Sequence, residues 1–107
     1  MNKDRMKVLQ EMFKEEPDNS FLLFAIAKEY EKMGNFSEAI TTFLLLQKKD
    51  EDYVGLYYHL AKLYEQIEEE LEAMAIYEAG IAIAKKVKDQ HALAELQNAK
   101  LNLEIGM

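Results

Sequence analysis

Apolar residues recur at helical spacing along the whole chain, and no segment shows the period-two alternation that is typical of a β-strand. In the first segment, Met6, Leu9, Met12 and Phe13 share one face, with lysines and glutamates between them. Pro17 ends this segment, because proline supplies no backbone donor to continue a helix. The pattern therefore predicts an all-α protein of about six helices. They cover residues 2–15, 20–33, 36–49, 53–67, 70–87 and about 89–105.

Polar residues and glycines mark the ends of these helices. Asn19 and Asn35 are good N-caps for the second and third helices, and Gly34 suits the left-handed position after a helix. The acidic run 50–52 is expected to cap the fourth helix. Gly80 falls inside the fifth helix, where glycine is unfavourable, so we expect a close helix crossing there.

The apolar pattern repeats after 34 residues. The first copy is Leu23, Ile26, Ala27, Tyr30, Ala39 and Phe43. The second copy is Tyr57, Leu60, Ala61, Tyr64, Ala73 and Tyr77. A fixed period of this length is the signature of a stacked helical repeat, in which neighbouring helix pairs bury a shared core. Alanine recurs where helices cross closely, and large side chains fill the space between them.

Charge and composition exclude several kinds of partner. The 107 residues carry a net charge of −7 with a single arginine, which disfavours nucleic acid and an anionic membrane surface. No stretch resembles a secretory signal or a membrane span. The absence of cysteine fits a reducing compartment, so we expect a cytoplasmic protein.

No pattern typical of an enzyme is present. The two histidines, His59 and His91, lie on different predicted helices and lack the spacing of a metal site. The sequence contains neither a phosphate-binding glycine loop nor a nucleophile elbow. We therefore expect no catalytic residue, no metal and no cofactor.

Small residues at fixed crossings and large aromatic residues between them, repeated at 34 residues, resemble the tetratricopeptide repeat (TPR) family. The resemblance is to a small bacterial-type TPR protein, and it implies a right-handed α-solenoid of antiparallel helix pairs. One domain would hold a half repeat over 1–19, full repeats over 20–53 and 54–87, and a C-terminal capping helix over 88–107. Glu68 departs from the pattern, because it stands where the first repeat has its turn glycine.

In this family the first helix of each repeat lines a concave groove that receives a peptide. Carried over by motif position, the resemblance implies eight groove residues. They are Phe21, Phe24, Lys28 and Glu31 from the first repeat, and Tyr58, His59, Lys62 and Glu65 from the second. Phe24 and Tyr58 would stack into an aromatic ledge, and the lysines would hold a carboxylate. The alternative is that each lysine pairs with the glutamate three residues later on a solvated face.

The sixth helix is apolar on two nearly opposite sides. One side carries Leu96 and Leu103, and the other carries Leu101 and Ile105. There are two alternatives. Either both stripes pack inside the chain, or these four residues form a self-association surface, for which a symmetric homodimer is the commonest outcome. The sequence thus predicts an adaptor that binds a peptide segment of another protein, with a self-associating structural subunit as the alternative.

Overall fold

The structure is a computed structural model that describes residues 2–107, with side chains from Arg5 onward. It contains six α-helices and no strand within that range. The helices are α1 (Asn2–Glu15), α2 (Ser20–Lys32), α3 (Phe36–Lys49), α4 (Gly55–Gln66), α5 (Glu70–Val87) and α6 (Gln90–Gly106). The all-α prediction is confirmed. The chain forms two compact units, one ending at Asp50 and the other covering Glu51–Met107.

The first unit packs α1 and α3 against α2. Met6 and Leu9 of α1 form a core cluster with Leu22 and Ile26 of α2. The three-residue turn after α2 returns the chain as α3, and Phe24 meets Phe43 edge to face at 5.8 Å between ring centroids. The α2–α3 pair is also tied at its open end, where Ser20 Oγ donates to Asp50 Oδ2 at 2.6 Å.

In the second unit, α4, α5 and α6 meet around Gly80. A Cβ atom placed on this glycine would lie 2.6 Å from Tyr57 Cβ and 3.1 Å from Leu96 Cδ1. The close crossing expected at Gly80 is confirmed, and it involves both neighbouring helices. At the open end of the α4–α5 pair, Lys86 Nζ lies 3.0 Å from Asp52 Oδ1.

Predicted caps are confirmed at two helices. Asn19 Oδ1 accepts from Leu22 N at 3.1 Å, and Asn35 Oδ1 accepts from Glu38 N at 3.4 Å. The cap expected for α4 is wrong: Val54 precedes the helix, and no side chain caps it. The physical reason is that Asp50 and Asp52 bond to Ser20 and Lys86 instead.

Left-handed backbone follows three of the helices. Gly34 has φ +78° after α2, Glu68 has φ +62° after α4, and Lys88 has φ +61° after α5. The repeat therefore keeps the conformation of its turn even where glycine is replaced by glutamate. Four large apolar side chains are exposed although they follow the helical spacing, because they lie at the edge of a buried stripe or near a helix end. They are Met12, Met33, Leu44 and Val87.

Candidate functional site

The four groove residues predicted on the first repeat line one depression on the surface of the first unit. Phe21, Phe24, Lys28 and Glu31 all border it, and its volume is about 580 Å³. They come together because all four lie on one face of α2, spaced three or four residues apart. Phe21 is 63% exposed, and Phe24 is half-buried with its ring against Phe43. The depression thus offers an aromatic surface to the solvent.

Charged side chains border the same depression. Lys28 Nζ lies 3.4 Å from Glu31 Oε1, so the ion pair considered as the alternative for this lysine is present. Both side chains are partly exposed, and exposed pairs of this kind contribute at most about 1 kcal/mol to stability. The pair therefore leaves the lysine able to exchange its partner for a ligand carboxylate at little cost.

Sequence reasoning missed a second ion pair, which also borders the depression. Arg5 Nε lies 3.0 Å from Glu29 Oε1, and the Glu29 side chain is only 3% exposed. Glu29 Oε2 has no hydrogen-bond partner among the described residues. Buried carboxylates normally have all their oxygens paired, so this arrangement costs stability.

A comparison of the two repeats in the sequence could have indicated this ion pair. Thirty-four residues after Glu29 the sequence has Leu63, which is buried, and 34 residues after Arg5 it has Ala39, which is also buried. The fold therefore accepts apolar residues at both positions. A charged pair where the repeat is otherwise apolar is a feature of this surface that the packing of the repeat does not require.

In the second unit, the four predicted groove residues form one contact network. Lys62 Nζ lies 5.6 Å from the centroid of the Tyr58 ring and 3.8 Å from Glu65 Oε2. The fourth, His59, has its ring centroid 5.6 Å from that of Tyr58. The expected stacking of Phe24 on Tyr58 joins residues of different units and stays a prediction.

Tyr77 adds a hydrogen bond to this network that sequence reasoning did not anticipate. Its hydroxyl donates to Glu65 Oε2, the oxygen that also faces Lys62. Burial raises the pKa of the Tyr77 phenol far above its usual range, and the hydrogen bond to the Glu65 carboxylate raises that pKa further. The first repeat has Phe43 at the equivalent position, so this anchoring of the glutamate is specific to the second repeat.

The four residues predicted for self-association on α6 divide into two pairs. Leu96 and Leu103 are buried inside the second unit, where they cover its core. Leu101 is 53% exposed and Ile105 is 73% exposed. Only the second pair is therefore available on the surface of this chain.

Among the described side chains, no group of three or more histidine, aspartate and glutamate residues is placed to hold a metal ion. Within the described range, no helix combines the length and the apolar character needed to cross a lipid bilayer.

The fold and its 34-residue period define a helical-repeat protein. The sequence model of the tetratricopeptide repeat matches residues 22–52 and 54–87, which is more than half of the chain. The chain belongs to the tetratricopeptide repeat family. No curated protein matches it significantly.

Solved structures agree with this assignment. The chain is similar to a tetratricopeptide repeat domain protein from Salinibacter ruber, with 43% identity over 82% of this chain and 89% of that one, and a TM-score of 0.79. It has the fold of the TPR2B domain of yeast Sti1, solved as a pHsp70 complex, at 20% identity, with coverage of 99% and 85% and a TM-score of 0.89. It also has the fold of PcrH, solved with the chaperone binding region of PopD, at 12% identity, with coverage of 97% and 79% and a TM-score of 0.88.

Proposed function

We propose that this protein is a protein-interaction module that binds a peptide segment of a partner against α2, in the depression of the first unit. The observation that carries the proposal is the depression itself, which joins the exposed Phe21 ring, the Phe24 ring and a lysine on one helix face. Aromatic side chains beside a few polar groups are typical of surfaces that bind peptides. The solved complexes of yeast Sti1 and PcrH support the same use of this fold.

The chemistry of the depression indicates what the peptide carries. An apolar side chain would lie on Phe21 and Phe24, where it removes the exposed ring from water. A carboxylate would pair with Lys28 in place of the partly exposed Glu31. In the second unit, Tyr58, His59, Lys62 and Glu65 are the corresponding candidate contacts.

Two side chains, those of Tyr58 and Glu65, constrain the lysine of the second unit. Glu65 is already engaged by the Tyr77 hydroxyl, and Lys62 lies against the Tyr58 ring. A preorganised ammonium group loses less side-chain freedom when it binds a carboxylate. Lys62 is therefore a candidate contact for an acidic peptide group on the second unit taken by itself.

A peptide library displayed on phage and selected on the immobilised protein tests this proposal. Peptides recovered from the selection would be measured by fluorescence anisotropy against the natural chain and against Phe21→Ser. Phe21→Ser removes an exposed ring, so folding is preserved, and we expect affinity to fall at least about tenfold.

Leu71→Ser is the matched control, because Leu71 is 74% exposed on another helix, and this variant should bind like the natural chain. Peptides that bind Phe21→Ser as tightly as the natural chain would contradict the proposed site. An equal loss of affinity in Leu71→Ser would show that the peptides recognise exposed apolar residues in general.

We expect no catalytic role, in keeping with a module whose chemistry is recognition. Self-association through α6 uses a different surface, because Leu101 and Ile105 lie on the last helix of the second unit. The two roles are therefore compatible.

A further inference from the structure

The outer face of α6 differs in composition from the rest of the surface. Leu96, Ala99 and Leu103 form the buried face of this helix. At about 100° per residue, a second set of six residues lies on the opposite side. They are Gln90, Ala94, Gln97, Asn98, Leu101 and Ile105, and all six are exposed.

This outer face carries no formal charge. The chain as a whole is 31% charged with a net charge of −7, so an exposed helix face without a single charged residue is unusual for it. Glu95 and Glu104 lie at the two margins of the face, and Lys100 points toward Glu104 at 3.5 Å. A patch with an apolar centre, neutral polar neighbours and charges at its rim has the composition of a protein–protein interface.

We infer that this face binds a second copy of the same chain, with the two α6 helices antiparallel across a two-fold axis. Two copies with a charge of −7 repel each other over most of their surfaces. On the outer face of α6 they meet without opposing like charges. A symmetric contact needs one self-complementary patch, and a neutral patch meets that requirement.

The size of the side chains along the face selects the antiparallel arrangement. The first half of the face has the small Ala94, and the second half has the large Leu101 and Ile105. In a parallel pair, each residue would face the same residue of the other copy. Ala94 would then leave a gap, while Leu101 and Ile105 would each be crowded against its counterpart. An antiparallel pair sets the small end of one helix against the large end of the other, and it also opposes the helix dipoles.

The contact between the two copies is small, so we expect weak association. One helix of 17 residues is about 25 Å long, and a single helix pair falls in the class of interfaces under about 1,200 Å². Such interfaces are weak and transient, so we expect the dimer to form only at micromolar or higher concentrations of the protein.

Sedimentation equilibrium of the full chain across this concentration range tests the inference. We expect the weight-average mass to rise from that of the monomer toward twice that value. Leu101→Glu should remain a monomer with unchanged helicity, because it places two carboxylates at the centre of the contact. Val8→Glu is the matched control, since Val8 is 55% exposed on a helix of the other unit, and it should associate like the natural chain.

The absence of cysteine allows the orientation to be tested as well. Ala94→Cys and Ile105→Cys would be prepared separately and oxidised gently, alone and as a mixture. We expect a disulfide dimer chiefly in the mixture, joining one variant to the other. A natural chain that stays monomeric, or a Leu101→Glu variant that associates normally, would overturn the inference. Rapid disulfide formation by either variant alone would show a parallel pair and would overturn it too.

Discussion

The Arg5 guanidinium Nε lies 3.0 Å from Oε1 of Glu29, a carboxylate that is almost fully buried and has only this described partner. Arg5→Ala should therefore leave a buried carboxylate without a donor and lower the free energy of unfolding by roughly 1–3 kcal/mol. Adding Glu29→Leu should restore stability to about that of the natural chain, because apolar replacements of buried ion pairs are often neutral or better. Both substitutions copy residues that the next repeat has at these positions, Ala39 and Leu63. Urea unfolding followed by circular dichroism measures the effect, and a double variant as unstable as Arg5→Ala would contradict it.

Substitution of Gly80 tests how tightly α4, α5 and α6 pack where they meet. Gly80→Ala should gain about 1 kcal/mol of helix propensity, yet the new Cβ would meet Tyr57 Cβ, an atom that cannot rotate away. We expect a net destabilisation of roughly 1–3 kcal/mol, as is usual for overpacking. Gly106→Ala is the control, because nothing lies within 4 Å of a Cβ there. Thermal unfolding of both variants measures the difference, and a more stable Gly80→Ala variant would mean that the crossing relaxes freely.

Glu68 offers a stabilising change. Its φ of +62° is costly for any residue with a Cβ, so Glu68→Gly should raise the free energy of unfolding by about 0.5–1 kcal/mol. Gly34→Ala is the reciprocal variant, and it should lose about 1 kcal/mol through backbone strain alone, since a Cβ at Gly34 has open space. Chemical denaturation of the two variants should move in opposite directions. An equal loss of stability in Glu68→Gly and Gly34→Ala would show that the turn after α4 does not need the left-handed conformation.

The raised pKa of Tyr77 predicts that the stability of the protein depends on pH. Burial and the bond to Glu65 raise the pKa of the phenol in the folded state, so folding favours the neutral form. The corresponding stability is complete below the pKa of about 10 of an unfolded tyrosine, and it is lost progressively as the pH rises above that value. Tyr77→Phe, which copies Phe43, should lose about 1.5–3 kcal/mol at neutral pH, as for a hydrogen bond to a charged group.

The difference between the natural chain and Tyr77→Phe should shrink between about pH 10 and pH 11, where only the natural chain has this phenol to ionise. Comparing the two proteins cancels the titration of lysines, which they share. A difference that stays constant over this range, measured by urea unfolding, would count against the stabilising bond to Glu65.

The repeat and most helix ends were predictable because they depend on local chemistry and on period. Asn19 and Asn35 cap the helices where they were expected, and Gly80 marks a true crossing. The start of α4 was not predictable in this way. Asp50 and Asp52 look like local caps in sequence, but Ser20 and Lys86 lie about 30 residues away along the chain and engage them.

The candidate site was predictable only where it follows the repeat. Phe21, Lys28 and Glu31 were expected to lie together because motif positions carry over from the family, and the structure places them around one depression. Arg5 and Glu29 were missed because both depart from the pattern, and the missed signal was the contrast between Glu29 and Leu63. The bond of Tyr77 to Glu65 was missed because that position was assigned to packing alone.

The hydrogen bond from Ser20 to Asp50 joins the first residue of α2 to the residue that follows α3. Helix ends normally fray independently, and their amide protons exchange with solvent at rates close to those of an unfolded chain. Here the opening of one end removes a partner from the other, so the first turn of α2 and the last turn of α3 should exchange in step. The open end of the α2–α3 pair would then unravel as one cooperative unit.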